Sequence, residues 1–112
     1  ILTDLAASLS GSMGIAPTAN LDPDKRHPSM FEPIHGSAFD IMGKGIANPI
    51  GSYWSAVMMF ANLGELQAAQ KLMFAIEKLT ADKKVLPNDL GGTSTTKQIT
   101  KAIIDIISGK NN

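Results

Sequence analysis

"MFEPIHGSAFDIMGKGIANPI", residues 30–50, is the stretch on which the reading of this chain turns. Gly36, Gly43 and Gly45 lie between Pro33 and Pro49, in a segment more apolar than most surface loops and richer in glycine than most core segments. Glycine lacks the Cβ that keeps backbone away from a ligand, and it also serves tight turns. Two readings therefore stand side by side. One is a binding loop. The other is a turn-rich surface loop in which Asp40 caps a short helix.

On the binding reading, Ser37 and the amides around it can donate to phosphate or ribose oxygens. Asp40 offers the carboxylate that grips a ribose diol, and it would repel a 2′-phosphate, which favours NAD over NADP. Ile41 and Ile46 suit the flat face of an adenine. No G-x-G-x-x-G is present, and "GSAFDIMGKG" is two residues longer between its glycines than a P-loop. His35 enters the loop and can stack on a base, bond a ribose or simply be structural. His27, in the polar connector "DPDKRHP", reads as solvated. Glu32 sits in an apolar run, where a partly buried carboxylate needs a partner. Asp4 stands alone on its helix, and one carboxylate is a poor divalent-cation site.

Working outward, Ile1, Leu2, Leu5 and Leu9 share a helical stripe that Gly11 stops. "MGIAPTANL" reads as a short strand placed near an edge by Pro17, and "SMFEPI" as a strand ending at Pro33. Asn48 and Pro49 read as N-cap and first helical residue. They open a helix carrying Ile50, Tyr53, Trp54, Val57, Met58 and Ala61, with Met59 and Phe60 widening its apolar face and Gly64 as the stop. A second helix over about 65–79 turns Leu66, Ala69, Leu72, Met73, Ile76 and Leu79 inward until "LPNDLGG" breaks it. Thr95 and Gln98 have capping-box spacing for a last helix burying Ile99, Ala102, Ile103, Ile106 and Ile107. Short strands followed by packed helices predict part of a layered α/β fold.

Composition excludes several classes. The 112 residues balance ten basic against ten acidic side chains, which argues against a nucleic-acid partner. No cysteine is present, so disulfides, thiolate metal sites and cysteine nucleophiles are out. No apolar run is long enough to span a membrane. A cytoplasmic setting is the default expectation. The chain opens on Ile1 in what reads as mid-helix, which suggests a portion of a longer protein.

"FEPIHGSAFDIMGKGIANPI" closely resembles the cofactor loop of the β-decarboxylating dehydrogenases of 2-hydroxy acids, the isocitrate/isopropylmalate dehydrogenase family. "ILTDLAASLSGSMGIAPTANL" resembles the helix and strand before that loop, and "GGTSTTKQITKAIIDII" the terminal helix. The resemblance covers the whole chain as a C-terminal third, nearest to the tartrate and D-malate branch, with the 3-isopropylmalate branch and a stand-alone nucleotide-binding module as alternatives.

Several expectations follow from the resemblance. Residues 1–10 would end a helix of the substrate and dimerisation domain, and 11–112 would form the C-terminal part of the cofactor-binding domain. Glu32, His35, Gly36, Ser37, Ala38, Asp40, Ile41 and Asn48 would contact NAD, with Asp40 on the adenosine ribose, Asn48 at the adenine edge and Glu32 near the nicotinamide. Asp4 would ligate Mg²⁺ or Mn²⁺. The parent would be a homodimer that oxidises a 2-hydroxy acid by hydride transfer to NAD⁺ and then releases CO₂. The tyrosine and lysine that move protons in the family have no match here, so no catalytic residue is assigned. The chain alone is expected to be inactive, and oligomeric or partly unfolded if Met58, Met59 and Phe60 lie bare.

Overall fold

A computed structural model describes Leu5 and residues 14–110. Asp4, the rest of the first helical stripe and the boundary at residue 10 lie outside the described residues.

Strands β1 (Pro17–Asn20) and β2 (Met30–Pro33) pair antiparallel, with Pro17 opposite Pro33 and Asn20 opposite Met30. Among the described residues this sheet has two strands. Proline has no N–H to give to a ladder, so the facing pair marks one end of it. Along β2 exposure alternates, placing Met30 and Glu32 outward and Phe31 and Pro33 against the molecule. Glu32 is thus exposed, and the expected desolvated carboxylate is not present. Its apolar neighbours Met30, Phe31, Pro33 and Ile34 suggest burial, but period-two alternation turns this position to solvent.

The connector between the strands is organised by one side chain. The Asp22 carboxylate accepts from the amides of Asp24, Arg26 and His27 at 3.1, 3.0 and 2.9 Å, and His27 is exposed as expected.

Helices α1 (Ile50–Asn62), α2 (Leu66–Asp82) and α3 (Thr96–Ile107) follow. Pro49, not Asn48, occupies the N-cap of α1, while Asn48 reaches forward so that its Oδ1 accepts from the amide of Ile50 at 2.9 Å. Gly64, with φ of +83°, turns the chain between α1 and α2, a conformation that favours glycine. Around Thr95 the expected capping box is complete: its Oγ1 accepts from the Gln98 amide, and Gln98 returns the bond to the Thr95 amide.

The core joins all three helices through Ile50, Ala75, Ile76, Leu79, Ile99 and Ile103. Tyr53 Oη and Thr100 Oγ1 bond at 2.7 Å between α1 and α3. Two inward assignments shift. Leu66 is exposed at the start of α2, whereas Ala75 is fully buried. Ser55 is buried too, its hydroxyl satisfied by the Gly51 carbonyl at 2.7 Å, which lets a polar residue sit inside an apolar helix. Met58, Met59 and Phe60 are half-buried rather than bare. Ile50, the first residue of α1, has no exposed surface. The glycine loop therefore ends at the centre of the core.

Candidate nucleotide-binding loop

The loop leaves β2 under close control. The Ile34 amide donates to the Ala16 carbonyl at 3.1 Å, continuing the ladder by one bond. Gly51, buried on α1, lies beneath this exit. A Cβ there would stand 3.1 Å from Pro33 Cβ and 3.4 Å from His35 Cδ2, so the missing side chain seats the loop's start against the helix. His35 Nδ1 lies 3.1 Å from the Gly36 carbonyl. A carbonyl only accepts, so Nδ1 carries the proton in this bond, and on the neutral form of this exposed ring Nε2 is the acceptor.

From Gly36 to Asp40 every residue is exposed. Phe39–Ile41 form one turn of 3-10 helix, closed by Ile41 N–H to Ala38 O at 3.0 Å and Met42 N–H to Phe39 O at 3.3 Å. No side chain caps this turn, so the alternative in which Asp40 serves as a cap fails. Ala38 sits in the left-handed region (φ 44°, ψ 57°), which costs a non-glycine residue of order 1 kcal/mol. Such stored strain clusters at ligand sites, although Lys25 and Lys83 share the conformation in plain turns.

The three glycines are not equivalent. Gly43 and Gly45 have φ of +78° and +68°, so the backbone itself asks for glycine. At Gly36 φ is not in that region, and a Cβ would meet no atom within 4 Å among the described residues. The fold gives no reason for glycine at position 36.

The second half of the loop is tied to a distant segment. The Gly45 carbonyl accepts from the Thr96 amide at 2.9 Å, and the Ala47 carbonyl accepts from Thr96 Oγ1 at 2.6 Å. Asn48 Nδ2 donates to Asp89 Oδ2 at 2.9 Å. Asp89 belongs to a 3-10 turn, Asn88–Leu90, within the stretch that reads in sequence only as a helix breaker.

The structure thus gathers His35, Gly36, Ser37, Ala38, Asp40, Ile41 and Asn48 along one continuous loop, with Glu32 exposed on β2 just before it. Asp89 and Thr96 are additions that no local spacing announced. Among the described residues no group of three or more His, Asp or Glu could hold a metal ion, and no helix is long and apolar enough to cross a membrane.

Comparison with known proteins agrees with this architecture. The family model for isocitrate/isopropylmalate dehydrogenase matches residues 1–106. The chain is 58% identical over 111 residues to the "Probable tartrate dehydrogenase/decarboxylase" of Agrobacterium vitis, covering 99% of this chain and 30% of that protein. It is 46% identical to the decarboxylating D-malate dehydrogenase of Escherichia coli, covering 96% and 31%. The crystal structure of isocitrate dehydrogenase from Methylococcus capsulatus superposes with a TM-score of 0.86 at 37% identity, over 95% of this chain and 31% of that one. The chain spans about 30% of the length of the curated relatives it matches.

Proposed function

The chain belongs to the isocitrate/isopropylmalate dehydrogenase family, and from that premise we propose that it carries the adenosine-binding loop of an NAD-dependent dehydrogenase that oxidises and decarboxylates a 2-hydroxy acid of the tartrate or D-malate type. The observation that carries this reading is Gly36. Its backbone does not need glycine and no described atom crowds it, so the open face is left for a ligand. The greater identity to the tartrate and D-malate relatives than to the isocitrate dehydrogenase structure supports the choice of branch.

The residues fit the dinucleotide. Asp40 is exposed and accepts hydrogen bonds only, which suits two ribose hydroxyls and opposes a 2′-phosphate. Gly36, Ser37 and Ala38 form an exposed run of backbone beside it. His35 offers a ring face and the Nε2 acceptor, and Ile41, half-buried, offers apolar contact. Asn48 stands at the far end with its amide already oriented. Glu32, on the outward face of β2, is free to meet the nicotinamide end. NAD⁺, when bound, accepts the hydride; these residues bind and orient it, and no proton donor or base among them acts on the substrate.

Asp4 is the residue assigned to Mg²⁺ or Mn²⁺, and it lies outside the described residues. A homodimeric parent, a cytoplasmic setting and the division at residue 10 between substrate and cofactor domains belong to the same proposal.

Calorimetric titration of NAD⁺ and NADP⁺ tests it, alongside Asp40→Lys. Preference for NAD⁺ is expected, with the lysine weakening it ~10- to 100-fold or reversing it, because a charge-assisted pair to the ribose is lost and a phosphate partner gained. A folded protein that binds neither dinucleotide sinks the reading. Assay of the full protein with D-malate and tartrate then separates the two substrates.

A further inference from the structure

The chain holds six methionines and no cysteine, so methionine thioethers are the only sulfur an oxidant finds in it. Solvent reaches them unevenly. Met58 and Met59 on α1 and Met73 on α2 are half-buried, and Met30 exposes 49% of its surface on β2. Met42 exposes 70%, and among the described methionines it alone stands in the half of the loop whose groups turn to solvent. Met13 lies outside the described residues.

Local geometry sets its place on the turn. The Met42 amide closes the 3-10 turn on the Phe39 carbonyl at 3.3 Å, and Met42 keeps a helical φ of −57°. Residues three apart on such a turn stand one above the other, so Met42 lies on the same side as Phe39. Neither residue belongs to the core or packs against it. One side of the turn thus carries two apolar side chains in solvent, with exposed Asp40 between them in sequence.

We propose that Met42 is an oxidation site, and that its conversion to the sulfoxide weakens dinucleotide binding. The second part rests on the reading of the loop as a dinucleotide site; the first does not. With hydrogen peroxide as oxidant, a sulfur lone pair takes one peroxide oxygen and the O–O bond breaks. The departing hydroxide takes the proton of the transferred oxygen and leaves as water, so sulfur gives up the two electrons that peroxide gains. A flexible apolar thioether becomes a polar sulfoxide that holds water, and the apolar contact it offers a ligand beside Asp40 is lost. Modification and binding draw on the same surface, so bound NAD⁺ shields Met42 in turn.

The test treats the full protein that carries this chain with hydrogen peroxide and follows each methionine by peptide mass mapping. Met42 should gain oxygen first among the described methionines, Met30 next, and Met58, Met59 and Met73 several-fold more slowly. Saturating NAD⁺ should slow Met42 and leave Met30 unchanged. After peroxide, NAD⁺ affinity by calorimetry should fall ~3- to 10-fold, the worth of one side chain's apolar contact. Methionine sulfoxide reductase should restore it, and Met42→Leu should show no such fall. Melting curves before and after treatment check that the protein stays folded.

Oxidation of Met42 no faster than that of the half-buried methionines overturns the site. Full oxidation of Met42 with unchanged NAD⁺ affinity, or a fall just as large in Met42→Leu, overturns the coupling while leaving the loop a nucleotide site. If untreated protein binds no NAD⁺, the dinucleotide reading falls and the coupling with it, and the order of oxidation still decides the site.

Discussion

The loop between β2 and α1 is built in two ways. Its first half, Gly36–Met42, is exposed apart from Ile41, bonds only to its own neighbours and keeps Ala38 in a strained conformation. Its second half, Gly43–Asn48, is bonded to Thr96 and Asp89 and ends on Ile50 in the core. The second half is fixed by the rest of the protein, and the first has its groups turned to solvent. The difference teaches where each kind of mutation should register: stability for the tethered side, ligand affinity for the free side.

Replacing Ile50 is the harshest way to break the comparison. Ile50→Ala removes a fully buried side chain at the meeting point of all three helices, and about 4 kcal/mol of stability should go with it, read from chemical denaturation. Next in size is Asp40→Lys on the free side, where the melt should hold and the dinucleotide preference should move as given above. Gly36→Ala sharpens the contrast. It meets no described atom and needs no unusual φ, so the melting temperature should stay put or rise slightly, yet NAD⁺ affinity should fall about tenfold, near 1.4 kcal/mol, by calorimetry. A variant that lost stability instead would show that position 36 serves the fold. Smallest is Phe39→Ser. With 75% of its surface exposed, Phe39 should contribute within about 0.5 kcal/mol, and a larger loss on denaturation would mean that the free half is packed after all.

Sequence made the helices legible because their signals are local. The period of Ile99, Ile103 and Ile106 and the Thr95–Gln98 box needed only a few residues of context, and both are present. Errors arose where tertiary geometry overrides local rules. Leu66 fits the helical stripe of α2 yet begins it, past the edge of the core, and small Ala75 occupies the central position instead. Glu32 lies in an apolar run, but strand alternation turns it out. Asn48 fits an N-cap, yet Pro49 holds that place and the asparagine caps from one residue further back. In the candidate site, the loop residues were legible from composition and family resemblance, since they are contiguous. Asp89 and Thr96 were not, because their contacts join positions 41 and 49 residues apart, and hydrophobic period carries no record of such pairings.

The two-stranded sheet has a consequence for handling the protein. Each strand pairs on one side, so among the described residues β1 and β2 present outer rows of amides and carbonyls, and Met30 stands exposed at the end away from the facing prolines. Such rows template further strands, and proline blunts them only where it sits. Concentrated solutions of this segment by itself should therefore be prone to edge-to-edge aggregation seeded at the Met30 end. A lysine in place of Met30 would be the economical remedy.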